Sequence, residues 1–232
     1  MDAVVLAGGL GTRLRGVLQK CPKPMALVHG RPFLEYLLDY WQKQGIRRFI
    51  LSVGYRHQTI QRHFGPRYGK ARIAYSIEKK PLGTGGALLQ VLARKKIGQN
   101  FLVLNGDTFF EVPLSGLKRF HIFHNADVTL ALVRKSGSRY ERIQHRGDGH
   151  ITELQRRSGR SGSGWINGGV YLFRRRALKS SRANRKSSLE SEILPGMLKK
   201  GIKLFGYGVR RRFIDIGTPA SYKAATRFLK ES

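Results

Sequence analysis

The chain has 232 residues, of which 41% are hydrophobic, and this is enough to bury the core of one large α/β domain or of two small ones. Its single cysteine, Cys21, excludes an intrachain disulfide framework or a zinc site made of cysteines, and no apolar run approaches the ~20 residues of a membrane-spanning helix. The formal net charge of +30 favours polyanionic partners, but the basic residues are scattered, so a basic solvated surface is favoured over a nucleic-acid site.

Apolar residues recur in a pattern that alternates strands with helices. Strands are predicted at residues 4–7, 49–53, 72–77, 101–104, 128–133, 166–173 and 213–216. Helices are predicted at residues 31–44, 85–92, 115–124 and 187–200, and in a last segment that follows residue 218. Residues 134–165 are polar and rich in Gly, Ser and Arg, and are predicted to form a loop or a short hairpin over a substrate.

The predicted helix ends carry residues with known capping preferences. They are Pro32 and Gly45 for the first helix, Ser187 and Glu190 as a capping box for the fourth, and Thr218 and Pro219 as N-cap and first position of the last. Strands separated by helices indicate a mostly parallel sheet with helices on both faces. Ligands bind such sheets at the carboxyl ends of the strands, where the sequence places a glycine-rich bend and Asp107.

The glycine-rich bend follows the first strand, in MDAVVLAGGLGTRL. It is not the dinucleotide fingerprint, because Leu14 stands where that pattern needs glycine, and it is not the P-loop pattern. Gly8, Gly9 and Gly11 let backbone N–H groups approach an anion, and Arg13 offers a guanidinium fork to phosphate oxygens. The motif therefore favours a phosphate-binding loop over a plain strand-to-helix turn.

Three further residues suit phosphoryl chemistry. Lys23 lies between two prolines, which stiffen the backbone around an ammonium group that can neutralise a transferring phosphoryl group. A surface lysine is the simpler interpretation of that residue alone. Asp107 and Asp215 each border an apolar strand, where a helix cap or a buried ion pair is the alternative for each. Together the two carboxylates suit one shared Mg²⁺ that bridges phosphate oxygens.

A second glycine-rich turn, PLGTGG at residues 81–86, opens a helix shortly after Glu78. Its glycines suit a flat nucleobase, and a carboxylate can accept from the N1–H and N2–H₂ groups of guanine, which mildly favours guanine. A solvated glutamate at a strand end is an equally good interpretation of Glu78. His121 and His124 have no third ligand, and they are interpreted as surface or partly packed histidines.

Seven motifs stand in the order found in one enzyme family: LAGGLGTRL, PKPMALVHGRPFLEYLL, PLGTGGAL, LNGDTFF, INGGVYLF, SLESEIL and FIDIGTPASY. They cover nearly the whole chain, which resembles the sugar nucleotidyltransferases. LSVGYRHQTIQRHFG and LNGDTFF are most similar to the D-glycero-α-D-manno-heptose 1-phosphate guanylyltransferase group. The resemblance implies a three-layer α/β/α Rossmann-like fold of the glycosyltransferase-A type, with a mostly parallel mixed sheet. It also implies a single domain over residues 1–232 without the C-terminal β-helix of bifunctional relatives.

The resemblance also implies roles for individual residues. Catalysis would rest on Arg13, at the leaving phosphates, and Lys23, at the reacting ones. The nucleotide would be bound by Leu6, Ala7, Gly8, Gly9, Gly11, Thr12, Arg13, Glu78, Pro81, Gly83 and Thr84. Mg²⁺, the expected cofactor, would be held by Asp107 and Asp215. The sugar 1-phosphate would be bound by Tyr140, Arg157, Asn167, Gly168 and Glu190.

The implied reaction joins a nucleoside triphosphate, expected to be GTP, to a sugar 1-phosphate, expected to be the heptose, in the cytoplasm and for lipopolysaccharide synthesis. The alternatives are mannose 1-phosphate guanylyl transfer, uridylyl or thymidylyl transfer, and, in a different class, a basic nucleic-acid-binding module without catalysis. Two departures affect the sugar side. Glu141-Arg142 stands where the family often has a Gly-x pair. Arg156-Arg157 stands where the family usually has Glu-Lys, so Arg157 preserves the positive charge and the glutamate is missing. The sequence makes no prediction of oligomeric state.

Overall fold

The computed structural model describes residues 1–9, 21–136, 142–154, 163–179, 181 and 185–229. Within these residues the strands are, in chain order, β1 (Asp2–Leu6), β2 (Leu27–Val28), β3 (Arg31–Pro32), β4 (Arg48–Val53), β5 (Arg67–Tyr68), β6 (Ala71–Ile77), β7 (Asn100–Asn105), β8 (Thr108–Phe110), β9 (Val128–Ser136), β10 (Ile143–His145), β11 (Ile151–Leu154), β12 (Ser163–Arg174), β13 (Leu204–Gly208) and β14 (Phe213–Asp215). The α-helices are α1 (Phe33–Lys43), α2 (His57–Phe64), α3 (Gly83–Arg94), α4 (Leu114–Phe123), α5 (Leu194–Lys199) and α6 (Pro219–Phe228).

Eight of these strands form one central sheet in the order β13-β9-β12-β7-β1-β4-β6-β5. Strand β1 pairs in parallel with β4 and β7, β4 pairs in parallel with β6, and β13 pairs in parallel with β9. Strand β12 runs antiparallel between β7 and β9, and β5 is antiparallel to β6. This mixed, mostly parallel sheet confirms the predicted fold class. The apolar run of β1 is explained by its central place, where both faces of the strand are covered.

Helices cover both faces of the sheet, and alternate residues of each strand point to opposite layers. Ala3 and Val5 of β1 belong to the core that packs under α1, α2 and α4. Val4 between them belongs to the core under α3 and α5. Helix α6 packs on a smaller third cluster with residues from α1, β8 and β14. The three-layer arrangement follows from this alternation. No helix in the described part of the chain is both long and apolar enough to cross a membrane.

The helix ends predicted at Gly45 and Thr218 are confirmed, and the one predicted at Pro32 is wrong. Thr218 is the N-cap of α6, with a reciprocal hydrogen-bonded capping box to Ser221, and α1 ends just before Gly45, which has φ +92°. Pro32 does not lie in the first turn of α1. Its backbone is extended, with ψ 136°, because it pairs with Leu27 in a short β2–β3 hairpin, and the helix begins one residue later.

The predicted capping box of Ser187 with Glu190 is also wrong. The cap is Ser188, whose side chain accepts the N–H of Ser191 at 3.1 Å and whose own N–H donates to Glu192 Oε1 at 2.9 Å. The helix starts with a π-helical turn, Leu189–Ile193, and continues as α5 only to Lys199. The backbone of Ser187 and the side chain of Glu190 bond instead to the first turn of α3 and to Leu82 just before it.

The polar stretch at residues 134–165 was predicted to be either a loop or a short hairpin, and the structure has a hairpin there. Strands β10 and β11 pair antiparallel, while β9 reaches into the stretch at Ser136 and β12 already begins at Ser163. Helix α2 and strand β13 were not predicted. Only Ile60 and Phe64 of α2 are buried, which is too few for a helical pattern, and two glycines interrupt the apolar residues of β13.

Candidate active site

A cavity of about 430 Å³ opens at the carboxyl ends of β1 and β7, in the middle of the sheet. It is lined by Leu6, Ala7, Gly8, Gly9, Lys23, Pro24, Glu78, Pro81, Gly83, Thr84, Ala87, Asn105, Asp107 and Lys186. Every predicted nucleotide-binding residue that the structure describes is therefore at this cavity, together with Lys23 and Asp107. Gly11, Thr12 and Arg13 lie outside the described residues. The volume is within the range of small-ligand pockets.

The bend after β1 is held by its two neighbouring strands. The N–H of Ala7 donates to Ser52 O at 2.8 Å, and the N–H of Gly106 donates to Leu6 O at 3.0 Å. Gly8 is required by close approach, because a Cβ at this position would fall on Oε1 of Glu78. A Cβ on Gly9 would meet no atom within 4 Å, so packing does not require glycine there, and the missing side chain leaves space at the cavity.

Glu78 lies beneath this bend and connects it to the second glycine-rich turn. Its Oε1 accepts a hydrogen bond from Ser52 Oγ at 3.3 Å, and its Oε2 accepts one from the N–H of Leu82 at 3.1 Å. Burial raises the pKa of the Glu78 carboxyl, while these two donors act in the opposite direction. The carboxylate is thus fixed in orientation and still borders the cavity.

Lys23 forms an ion pair with Asp107 on the cavity wall. Lys23 begins a short 3₁₀ turn, Lys23–Met25, in which Pro24 and Met25 are buried, so the base of its side chain is anchored. Asp107 follows β7, and its Oδ1 accepts from Thr108 Oγ1 at 3.2 Å. Its side chain keeps 38% exposure, which leaves the carboxylate accessible from the cavity.

Asp215 is brought beside Asp107 by the β8–β14 ladder. Asp215 pairs with Thr108 in that ladder, and the N–H of Ile216 donates to the backbone oxygen of Asp107 at 2.9 Å. The side-chain Oδ1 of Asp215 accepts the N–H of Gly217 at 3.0 Å. A Cβ on Gly217 would lie 2.7 Å from Asp215 Oδ1 and 3.8 Å from Lys23 Nζ, so the Asp215 carboxylate and the Lys23 ammonium both approach this glycine.

The donor set of Asp107 and Asp215 fits Mg²⁺. Both side chains are carboxylates, and Mg²⁺ commonly uses one or two protein carboxylates and takes the rest of its ligands from water and substrate phosphates. In the described part of the chain, no group of three or more His, Cys, Asp and Glu side chains is placed to hold a metal by itself. A site with two carboxylates therefore calls for phosphate oxygens as further ligands.

The three predicted sugar-side residues that the structure describes, Asn167, Gly168 and Glu190, do not line this cavity. Asn167 and Glu190 border a small neighbouring cavity of about 20 Å³, together with Arg142. Gly168 packs against β8, since a Cβ there would lie 2.5 Å from the ring of Phe110. Tyr140 and Arg157 lie outside the described residues. Glu190 is connected to the main cavity by a 2.6 Å hydrogen bond from Thr84 Oγ1.

Two polar residues at the cavity, Asn105 and Lys186, were not predicted from the sequence. Asn105 ends β7, and its buried Oδ1 has no hydrogen-bond partner among the described residues. Its place in LNGD, two residues before Asp107, was an available signal. Lys186 reaches the cavity from the segment before α5, and nothing in the local sequence distinguished it from the other lysines of this basic chain.

An open α/β sheet with a glycine-rich bend, a lysine and two carboxylates at one carboxyl edge is suited to binding a phosphorylated ligand together with a divalent cation. The chain matches the nucleotidyl transferase family over residues 2–232. It is 41% identical over 232 residues to the D-glycero-α-D-manno-heptose 1-phosphate guanylyltransferase of Aneurinibacillus thermoaerophilus, with 99% of each chain covered. It is 35% identical over 227 residues to a mannose-1-phosphate guanylyltransferase of Mycobacterium tuberculosis, and it covers 62% of that protein.

Solved structures agree with these relatives. The crystal structure of HddC from Yersinia pseudotuberculosis has a TM-score of 0.86 and 32% identity, with 99% of both chains covered. The same protein is known in complex with GMP-PN, with a TM-score of 0.85. The chain therefore belongs to the nucleotidyl transferase family, and the resemblance found in its motifs is confirmed.

Proposed function

We propose that this nucleotidyl transferase joins GTP to D-glycero-α-D-manno-heptose 1-phosphate, with release of pyrophosphate. The observation that carries the proposal is the single cavity in which the glycine-rich bend, Lys23 and Asp107 meet Glu78 and Lys186. The choice of substrates is supported by the full-length relative that carries the name of this reaction and by the similar structure in complex with GMP-PN. GTP as a substrate is consistent with a reaction in the cytoplasm.

Guanine is favoured by two opposite charges near the second glycine-rich turn. Lys186 lies beside that turn, because the N–H of the next residue, Ser187, donates to Leu82 O at 2.9 Å. The carboxylate of Glu78 suits the N1–H and N2–H₂ donors of guanine, and the ammonium of Lys186 suits its O6 and N7 acceptors. Adenine presents an N6–H₂ donor in place of O6, so it would set a donor against Lys186.

The proposed chemical step needs no general base, because a sugar phosphate is already ionised near neutral pH. One phosphate oxygen of the sugar 1-phosphate forms a bond to the α-phosphorus of GTP. The bond from that phosphorus to the β-phosphate bridging oxygen breaks in line, and its electron pair leaves with pyrophosphate. Lys23 neutralises charge on the reacting phosphates, and Arg13 is proposed to hold the departing pyrophosphate. Catalysis then rests on positioning and on charge stabilisation.

Mg²⁺ is the proposed cofactor, with Asp107 and Asp215 as its protein ligands. When bound, the ion supplies positive charge that is shared among the phosphate oxygens. Lys23 is paired with Asp107, so its ammonium lies beside one of the two proposed ligands of the ion. The sugar 1-phosphate is proposed to bind on the side of Asn167, Gly168 and Glu190, with Tyr140 and Arg157 as further contacts.

The substrate assignment is tested by pyrophosphate release from a panel of five nucleoside triphosphates against heptose, mannose and glucose 1-phosphates. We expect the largest kcat/KM for GTP with the heptose, and no turnover after chelation of Mg²⁺. Mannose 1-phosphate is the second candidate, because of the 35% identity to a mannose-1-phosphate guanylyltransferase. A faster reaction with UTP or dTTP would contradict the guanine assignment, and full activity in chelator would contradict the cofactor.

A further inference from the structure

The segment at residues 185–190 lies directly on the glycine-rich turn at residues 81–86. The carbonyl oxygen of Ser187 accepts the N–H groups of Gly85, at 2.9 Å, and Gly86, at 3.2 Å. The N–H of Ser187 donates back to Leu82 O at 2.9 Å. The N–H groups of Gly85 and Gly86, two of those that begin α3 without a partner inside the helix, are therefore satisfied by this segment.

The glycines of the turn are required by this contact. A Cβ on Gly83 would lie 2.5 Å from Ser187 O, in a residue with φ +70°. A Cβ on Gly85 would lie 2.6 Å from Ile193 Cδ1, and one on Gly86 would fall on Arg185 O. The nucleotide-side turn and the segment that carries Glu190 are thus packed together without room for a side chain between them.

Thr84 extends this contact to the carboxylate of Glu190. Its hydroxyl accepts the N–H of Leu189 at 2.8 Å and donates its only proton to Glu190 Oε2 at 2.6 Å. Because that proton is used, the Thr84 hydroxyl has no donor left for a nucleotide. Thr84 nevertheless lines the main cavity.

The other oxygen of Glu190 is held from the centre of the sheet. Glu190 Oε1 accepts the hydroxyl of Tyr171 at 3.0 Å, and Tyr171 in turn accepts Asn167 Nδ2 at 2.6 Å. Tyr171 is fully buried, and burial raises its pKa well above the usual range, so it acts as a neutral donor. Glu190 is therefore held at Oε1 by Tyr171 and at Oε2 by Thr84, whose 2.6 Å bond is shorter than the 3.2 Å bond that Ser188 Oγ donates to the same oxygen.

We propose that Thr84 is a positioning residue for the sugar phosphate substrate, which it serves through Glu190 although it belongs to the nucleotide-side helix. The proposal rests on the proposed function for the identity of the two substrates. A carboxylate locked by short charge-assisted hydrogen bonds keeps one orientation, whereas a free glutamate samples many rotamers. The orientation of Glu190 on the sugar side of the site therefore depends on Thr84, which belongs to the helix on the nucleotide side.

The test compares Thr84→Val, which removes the hydroxyl and keeps the shape, with Thr84→Ser, which keeps the hydroxyl. We expect Thr84→Val to raise KM for the sugar 1-phosphate about 10-fold and KM for GTP less than about 2-fold, since the lost interaction concerns binding of one substrate. Thr84→Ser is expected to restore most of the wild-type KM. In the Glu190→Gln background the effect of Thr84→Val should shrink to less than about 3-fold, because coupled residues are not additive.

A second pair of variants probes the same contact without touching the hydroxyl. Gly86→Ala is expected to displace residue 185 and to reproduce the rise in sugar KM, whereas Gly196→Ala in α5, with open space around its Cβ position, is the matched helical control. Equal rises in both KM values, or additive effects of Thr84→Val and Glu190→Gln, would overturn the proposal. The wild-type substrate panel tests the proposed function separately, and a different sugar or base found there changes only the substrates used in this experiment.

Discussion

The ammonium of Lys23 is paired with the carboxylate of Asp107, although 84 positions separate the two residues in the chain. Lys23 comes from the 3₁₀ turn after the first glycine-rich bend, and Asp107 comes from the end of β7. The pair joins the two segments that the proposed chemistry needs at the same phosphate group. Each charge is the partner of the other.

Asp107→Asn is expected to lower kcat by at least ~100-fold, because it removes a proposed ligand of the catalytic cation and the partner of Lys23. The free energy of unfolding should change by no more than about 1 kcal/mol, since the carboxylate is partly exposed. Pyrophosphate release and thermal unfolding measure the two effects. Asp39→Asn is a matched control, because Asp39 is 37% exposed and paired with Arg31 at 2.7 Å. Wild-type turnover in Asp107→Asn would contradict the mechanism.

The KM for GTP is expected to rise as the pH falls towards 5. Burial raises the pKa of Glu78 above its ordinary 4.5, so the carboxylate takes up a proton at a higher pH than an exposed glutamate. The protonated form accepts poorly from N1–H and N2–H₂ of guanine, and binding therefore favours the ionised form.

The comparison with Glu78→Gln isolates this effect, because the phosphate groups of both substrates also titrate near pH 6. The variant should have a higher KM for GTP at pH 7.5 and a flatter pH profile than the wild type. Parallel profiles for the two proteins would show that Glu78 does not face the base.

Gly8→Ala is expected to raise the KM for GTP by roughly 5- to 150-fold, because displacing the proposed hydrogen-bond partner of the base costs about 1–3 kcal/mol of binding. The added Cβ would fall on Oε1 of Glu78, so either the bend or the carboxylate must move. Steady-state kinetics with GTP varied measures the change. Gly147→Ala, in the turn between β10 and β11, has open space at its Cβ position and should keep the wild-type KM. An unchanged KM in Gly8→Ala would indicate that the bend is adaptable.

Acid is expected to destabilise the fold through His121. This histidine is buried in α4 with Nδ1 2.7 Å from Thr129 Oγ1, and burial lowers its pKa to about 4, with Arg174 adding to the effect and Asp127 opposing it. The unfolded chain takes up the proton near pH 6.5, so the free energy of unfolding should fall between pH 6.5 and 4, by up to about 3 kcal/mol from this residue.

Urea unfolding at pH 7 and pH 4.5 measures this loss, with His121→Gln as the comparison. The variant should lose less stability than the wild type between the two pH values, since glutamine binds no proton. An equal loss in the two proteins would assign the acid sensitivity to other groups.

The sequence by itself determined the central strands and placed the glycine-rich bend and Asp107 at the same edge of the sheet. The apolar runs of β1, β4 and β7 are long enough to require burial on both faces, and a parallel sheet brings their carboxyl ends to one edge. The glycine-rich bend and Asp107 were therefore expected at the same place, and the structure has both at one cavity with Lys23. The start of α6 after Thr218 could also be predicted from the sequence, because an N-cap residue bonds to a residue within one helical turn of it.

Only the tertiary structure decided the role of the segment before α5. Locally, Ser187 and Glu190 match a capping box, yet Glu190 bonds to Thr84, 106 positions away, and Ser188 caps the helix instead. The same packing brings Lys186 to the cavity and explains the glycines at residues 83–86. A periodic pattern reports which residues of one element are buried, but it carries no information on which distant backbone will lie against them. That choice was made by the packing of α3 against the segment that carries Glu190.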